Sequence, residues 1–221
     1  MQPDVWAIVP VKNPVDAKQR LSQVLTQEER EGLFRAMAAD VFDALQQATK
    51  LAGVLIVTRD DDLATQATDR QFEVFREPSN DGHTSAVNRG IEHLMRRGVE
   101  AVLALPADLP TLTGVDVDTL VASLGPSPDV VIAPASDELG SNGMLMSPPN
   151  IIELRFGAAS FAPHVEKAKA QGVAPRVLHL AGFGLDIDEP ADLARFIATA
   201  HPGRAYEFIC ATNIEAKVLG L

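Results

Sequence analysis

Short apolar runs alternate along this 221-residue chain with longer stretches patterned for helices. That alternation leaves few architectures open. Val5 to Val11, Gly53 to Thr58, Phe72 to Phe75, Val99 to Leu105, Asp129 to Ala133, Met144 to Met146 and Val177 to Leu180 read as strands, buried by length and flanks. Thr26 to Thr49 is the clearest helix. Thr26 and Glu29 form a capping-box pair, and Leu33, Met37, Val41 and Leu45 recur on one face. Asp60-Asp61-Asp62 opens a short helix, where acids suit the N-terminal dipole. Thr84 to Arg97, Val115 to Leu124, Ser160 to Gln171 and Pro190 to Ala200 read as further helices. Strand and helix in turn predict an α/β, Rossmann-like fold, a mostly parallel, doubly wound sheet with helices on both faces. Residues 1–200 read as a single domain, and 201–221 as a weakly patterned tail of unassigned role.

Charge narrows the partners. A formal net charge of -11 argues against nucleic acid or an anionic membrane surface, both of which need a broad basic field. Against that background Lys12, Lys18 and Arg20 form a local basic patch. A single cysteine, Cys210, excludes an intramolecular disulfide framework and fits a reducing compartment. The first residues lack a basic leader, and no apolar run approaches the ~20 residues of a membrane span. The expected location is cytoplasmic, and a homodimer is a possible assembly.

Three segments far apart in sequence carry the chemistry. Lys12, Lys18 and Arg20 follow the first strand, where a loop can wrap a triphosphate with its side chains and backbone N–H groups, Val11 included. The glycines and Gly-Lys-Ser/Thr ending of a Walker A loop are absent. A solvated basic loop would read the same, but the place after the first strand favours the phosphate cradle. Asp108 leaves the sheet after Leu103-Ala104-Leu105 between two prolines, which hold its carboxylate in place; an ordinary turn aspartate is the alternative. Asp188 follows Asp186-Ile187, also at an expected strand tip, and could equally cap the following helix. Asp186 and Asp188 would share a face and repel without a cation. Two carboxylates opposite a basic loop suit Mg²⁺-assisted chemistry on a nucleoside triphosphate. Gly82, Ser85 and Asn88 open a helix where a flat base can approach, although Thr84 or Ser85 could simply cap it. Ser141-Asn142-Gly143 and Phe156-Gly157-Ala158-Ala159-Ser160 read as Gly/Ser-rich turns. The second leads into a helix whose Ser160 hydroxyl offers an anion seat. His164 reads as a helix-surface residue, and the histidines lack zinc-ligand spacing.

In order along the chain, Pro10-Val11-Lys12 with Ala17-Lys18-Gln19-Arg20-Leu21, Pro106-Ala107-Asp108-Leu109-Pro110, Ser141-Asn142-Gly143, Phe156-Gly157 with Ser160-Phe161, and Asp186-Ile187-Asp188-Glu189-Pro190 resemble the CofC/FbiD guanylyltransferases of coenzyme F-420 biosynthesis. The resemblance runs from about Val5 to Ala200, and its wider relatives are the GT-A-type nucleotidyltransferases. It implies transfer of GMP from GTP to 2-phospho-L-lactate, phosphoenolpyruvate or 3-phospho-D-glycerate, with release of pyrophosphate. It further implies that Asp108 and Asp188 hold Mg²⁺, that Lys12, Lys18 and Arg20 hold GTP phosphates, and that Ser141, Gly157 and Ser160 seat the acid. Many members read Thr-Asn-Ala where this chain has Ser141-Asn142-Gly143, and the smaller residues are expected to widen the acid pocket. A GT-A-type enzyme using CTP or a sugar or cofactor phosphate is the alternative within enzymes, and a non-catalytic nucleotide sensor the alternative outside them.

Overall fold

The computed structural model describes residues 3–79, 81–157 and 159–220. Its centre is β1 (Val5–Val11), which pairs in parallel with β2 (Leu51–Thr58) on one side and β4 (Ala101–Ala104) on the other. Ala7, Val9 and Val11 point into one core cluster and Ile8 into another. Alternate side chains of a strand face opposite ways, so this uniformly apolar run is covered on both faces. The full sheet order is β3-β2-β1-β4-β6-β5-β7, with β3 (Glu73–Phe75), β5 (Asp129–Pro134), β6 (Ser141–Ser147) and β7 (Arg176–Val177).

Helices cover both faces. One carries α1 (Gln27–Gln47), α2 (Asp61–Asp69), α4 (Gly114–Ala122) and α6 (Pro190–Thr199). The other carries α3 (His83–Met95) and α5 (Phe161–Ala170). The capping box at Thr26 forms: its N–H donates to Glu29 Oε2 at 2.9 Å and its hydroxyl accepts from Glu29 N at 3.3 Å. Asp60 caps α2 by accepting from Leu63 N.

β6 runs against its neighbours β4 and β5, the one reversal among the described strands. Residues 135–140, which join β5 to β6, are too few for the crossover that a parallel pair demands, so the chain turns back as a hairpin. The expectation of a turn at Ser141-Asn142-Gly143 is therefore corrected: these residues begin β6 and are buried. The last strand is also shorter than Val177 to Leu180. β7 pairs only with β5 at the sheet edge, and a 3-10 turn at Ala181–Phe183 follows. Asp186-Ile187-Asp188 consequently lies in an extended segment outside the sheet, tied to it by Ile187 N donating to Asp108 O at 3.3 Å.

The tail forms α7 (Arg204–Ala211) and α8 (Ile214–Leu219), which bury Ala205, Ile209 and Ile214 in the α1-side core. Asp40 of α1 accepts from the N–H groups of Arg204 and Ala205 at 2.7 and 2.9 Å, and Asp43 pairs with Arg204 at 2.8 Å. The Phe208 ring lies against Gly32, where an added Cβ would meet it at 2.3 Å. Among the described residues no helix is long and apolar enough to cross a membrane.

Gly143 faces the core: an added Cβ would sit 3.0 Å from Ala133 Cβ, Leu120 Cδ2 and Phe183 Cε1. Overpacking of this kind typically costs about 1–3 kcal/mol. Gly143→Ala should lower the thermal midpoint by several degrees, and an unchanged midpoint in a melting experiment would contradict this packing.

Candidate active site

The C-terminal ends of β1 and β4 open onto a pocket of about 120 Å³ lined by Pro10, Lys12, Ala17, Lys18, Phe34, His83, Pro106, Ala107, Asp108 and Asp188. Four of the residues expected to carry chemistry thus converge. At its centre Lys18 Nζ donates to Asp108 Oδ2 at 2.5 Å and to Asp188 Oδ1 at 2.7 Å. Lys18 reaches them from a left-handed backbone conformation (φ 54°, ψ 39°), and its side chain is only 4% exposed. A left-handed non-glycine residue costs roughly 1–3 kcal/mol and persists where the surroundings hold it. Burial alone would lower the Lys18 pKa, but Asp108 and Asp188 outweigh it and hold the ammonium above its ordinary value. Burial pushes Asp188 upward, and Lys18 more than reverses this, so Asp188 sits below its usual range.

Asp188 is free to do this because it does not cap α6. The N-cap of α6 is Glu189, and Asp192 in the first turn accepts from the N–H groups of both Asp188 and Glu189, at 3.2 and 2.9 Å, which fixes the segment that enters the helix. Asp186 is held apart by Asn142 Nδ2, which donates to its Oδ1 at 2.9 Å. Burial, then the charge of Asp108, raises the Asp186 pKa, and the Asn142 hydrogen bond partly offsets the rise. Asp108 Oδ1 is buried with no hydrogen-bond partner. An orphaned carboxylate oxygen is a seat for a further cation or donor. Among the described residues no group of three or more His, Cys, Asp or Glu could hold a metal unaided.

The remaining expected residues fall around this centre. Arg20 is exposed and pairs with Glu189 at 3.1 Å rather than lining the pocket. Val11 and Gly82 line an adjoining cleft with Pro10, Lys12, Val57, Glu77, His83 and Ala86. Ser85 and Asn88 line neither space. Gly157 is exposed on its loop with open space around it. Ser141 and Ser160 are buried, and Ser160 Oγ accepts from Ser141 N at 3.1 Å. Gly143, packed into the core, does not widen any pocket, which corrects that expectation.

Sequence reading missed two histidines. His83 lines the pocket; burial brings its pKa down to about 4 despite Asp108, and its ring meets Phe156 edge-on at 4.8 Å. His164, read as a surface residue, is fully buried. Its Nε2 accepts from Arg155 N at 3.2 Å, so the proton resides on Nδ1, which donates to Ser141 Oγ at 3.0 Å. Thr84 Oγ1 accepts from Phe156 N at 3.0 Å, so the Gly157 loop is fastened to α3, β6 and α5 together. The signal for His83 was its position beside Gly82 at a helix start. For His164 the helix pattern gave none.

The architecture is that of nucleotidyltransferases. A solved chain from Desulfovibrio desulfuricans superposes with a TM-score of 0.79 at 19% identity, covering 98% of this chain and 97% of its own. A nucleotidyl transferase from Methanothermobacter thermautotrophicus gives 0.65 at 12% identity, covering 94% and 99%. Within that class the chain belongs to the CofC-like guanylyl transferase family, whose pattern it matches over residues 5–218. It is 34% identical to a phosphoenolpyruvate guanylyltransferase of Sphaerobacter thermophilus, over 89% of this chain and 94% of that one. It is 31% identical to a 2-phospho-L-lactate guanylyltransferase of Methanothermobacter thermautotrophicus, over 92% and 88%. Identity to a 3-phospho-D-glycerate guanylyltransferase of Phenylobacterium zucineum is 34%, over 84% and 86%.

His164 gives the site's scaffold a pH dependence. Burial, with Lys167 adding, lowers its pKa from 6.5 to about 4. Between those values the unfolded chain binds the proton and the folded chain does not, so stability falls as pH drops from 6.5 toward 4. By pH 5 the loss is on the order of 2 kcal/mol. Urea unfolding at pH 7 and pH 5 should show it, and His164→Gln should shallow the dependence; equal slopes in the two proteins would refute the buried neutral imidazole.

Proposed function

We propose that the protein transfers GMP from GTP to a small phosphorylated carboxylic acid, releasing pyrophosphate, as a cytoplasmic step of coenzyme F-420 biosynthesis. The observation that carries this reading is Lys18 Nζ joining Asp108 and Asp188, because it brings the basic loop and both acids to one point. Family membership supplies the guanylyl group and the class of acceptor.

The acceptor phosphate attacks the α-phosphorus of GTP in line, and pyrophosphate leaves on the opposite side. The attacking oxygen is already anionic, so no protein base is needed. Its approach to a triphosphate is opposed by charge, and Lys12 and Lys18 offset that repulsion where they line the pocket. Positioning supplies the rest. Asp108, through its unpaired Oδ1, and the half-exposed Asp188 fit a divalent cation that takes its other ligands from water and phosphate, as Mg²⁺ does. Bound there, Mg²⁺ would neutralise phosphate charge and favour the departing pyrophosphate. The acid docks against the exposed Gly157, with Ser141 and Ser160 fixing that loop from behind through their mutual hydrogen bond.

Incubation with each nucleoside triphosphate, Mg²⁺ and each of phosphoenolpyruvate, 2-phospho-L-lactate and 3-phospho-D-glycerate tests the proposal. The expected result is pyrophosphate release with GTP and a GMP adduct by mass spectrometry. No adduct with any acid would overturn it. Asp108→Asn keeps an acceptor for Lys18 yet removes the charge, and should lower kcat by more than ~10³-fold; it should also lower the thermal midpoint, because the buried Lys18 loses one of its two carboxylates, while the protein remains folded at the assay temperature.

A further inference from the structure

The mechanism leaves unused a carboxylate that lies beside the catalytic pocket. Glu77 follows β3 at the ligand edge of the sheet, and its side chain is 8% exposed. It lines the cleft that adjoins the catalytic pocket, and the two spaces share Pro10, Lys12 and His83. Arg89 of α3 reaches one oxygen, Oε2, at 3.4 Å. The same guanidinium is anchored on Ser79 O at 3.1 Å, on Ser79 Oγ at 3.2 Å and on Asp81. Oε1 receives no hydrogen bond from the described residues. The interior of the cleft, about 10 Å³, has room for about one water-sized group, so a base would enter it only by the atoms at the tip of its edge.

With the triphosphate on Lys12 and Lys18, a base extending past Pro10 and His83 meets Glu77. We propose that Glu77 reads the guanine edge, accepting hydrogen bonds from N1–H and the 2-amino group, and that Arg89 is the positioning residue that aims it. This rests on the guanylyltransferase reading and supplies its base selectivity. Guanine sets two donors side by side, which match the two oxygens of a carboxylate. Adenine and cytosine set a ring-nitrogen lone pair beside their amino group, and uracil flanks its one N–H with carbonyl oxygens. Each therefore turns an acceptor toward the anion. Val57 and Ala86 line the same cleft and limit water around the contact, which strengthens a charged hydrogen bond.

The test exchanges donor and acceptor on both sides. Xanthine has a carbonyl oxygen where guanine has its amino group; a carboxylate repels it and a carboxamide donates to it. Glu77→Gln should weaken GTP binding about tenfold or more and strengthen XTP binding by a similar factor, measured by calorimetry on the full chain. A structural role alone cannot produce a gain for XTP. In the wild-type protein, which needs no substitution to fold, ITP lacks the amino group and should bind about tenfold more weakly than GTP. An unchanged GTP:XTP ratio in Glu77→Gln, or equal wild-type affinity for GTP and ITP, overturns the assignment. Failure of the wild-type protein to bind GTP at all would instead overturn the proposed function.

Discussion

One buried ammonium organises this end of the molecule. Lys18 stands between Asp108, 90 residues away in sequence, and Asp188, 170 residues away. Withdrawing a lysine from water costs several kcal/mol, and a single carboxylate at good geometry roughly returns it. Two carboxylates do more, which is why the Lys18 ammonium is held protonated despite burial. The pairing also sets the shape of the loop. A left-handed backbone at Lys18 turns the side chain inward, while Lys12, still exposed, keeps its own charge available at the pocket mouth. The local cations thus work within a chain whose net charge is -11, confining attraction for anionic substrates to one place.

Around these three side chains lie further hydrogen bonds whose task is orientation. Asp192 binds the N–H groups of Asp188 and Glu189, Asn142 holds Asp186 aside, and His164 and Ser160 grip opposite sides of Ser141. None of these groups needs to touch a substrate to matter. Each removes an alternative arrangement that would let a carboxylate turn away from Lys18 or let the Gly157 loop drift.

The strands of a mostly parallel sheet were legible in outline because buried strands announce themselves by apolar runs, and the α1 capping box by the spacing of Thr26 and Glu29. Lys12, Lys18, Asp108 and Asp188 were legible because they follow such runs or precede a helix start. What escaped depends on partners distant in sequence. Ser141-Asn142-Gly143 looks like a turn by composition, yet small residues there let Leu120, Ala133 and Phe183 close over a strand. His164 looks like a surface residue until Ser141 and Arg155 N meet it, and nothing local announces that Arg20 pairs with Glu189. Glu77 carries no motif at all; only the end of β3 places it.

The reversal of β6 has a consequence for how such a molecule can diversify. Because β6 runs against its neighbours, it starts at the edge where they finish, so Ser141 and Asn142 stand beside the acids while the rest of the strand fills the core. The hairpin tip at residues 135–140 lies at this same edge of the sheet, outside the residues that line the pocket, and carries no helix between its strands. Changes of length or shape there are absorbed at the tip, whereas a change in the loop after β1 must keep α1 and the Lys18 backbone in place. The loop after β1 is therefore the constrained part of this edge of the sheet, and the hairpin tip the freer one. Relatives similar to this chain bear the names of three different acids, and a tip that absorbs change without disturbing the sheet is a place where such variety can arise.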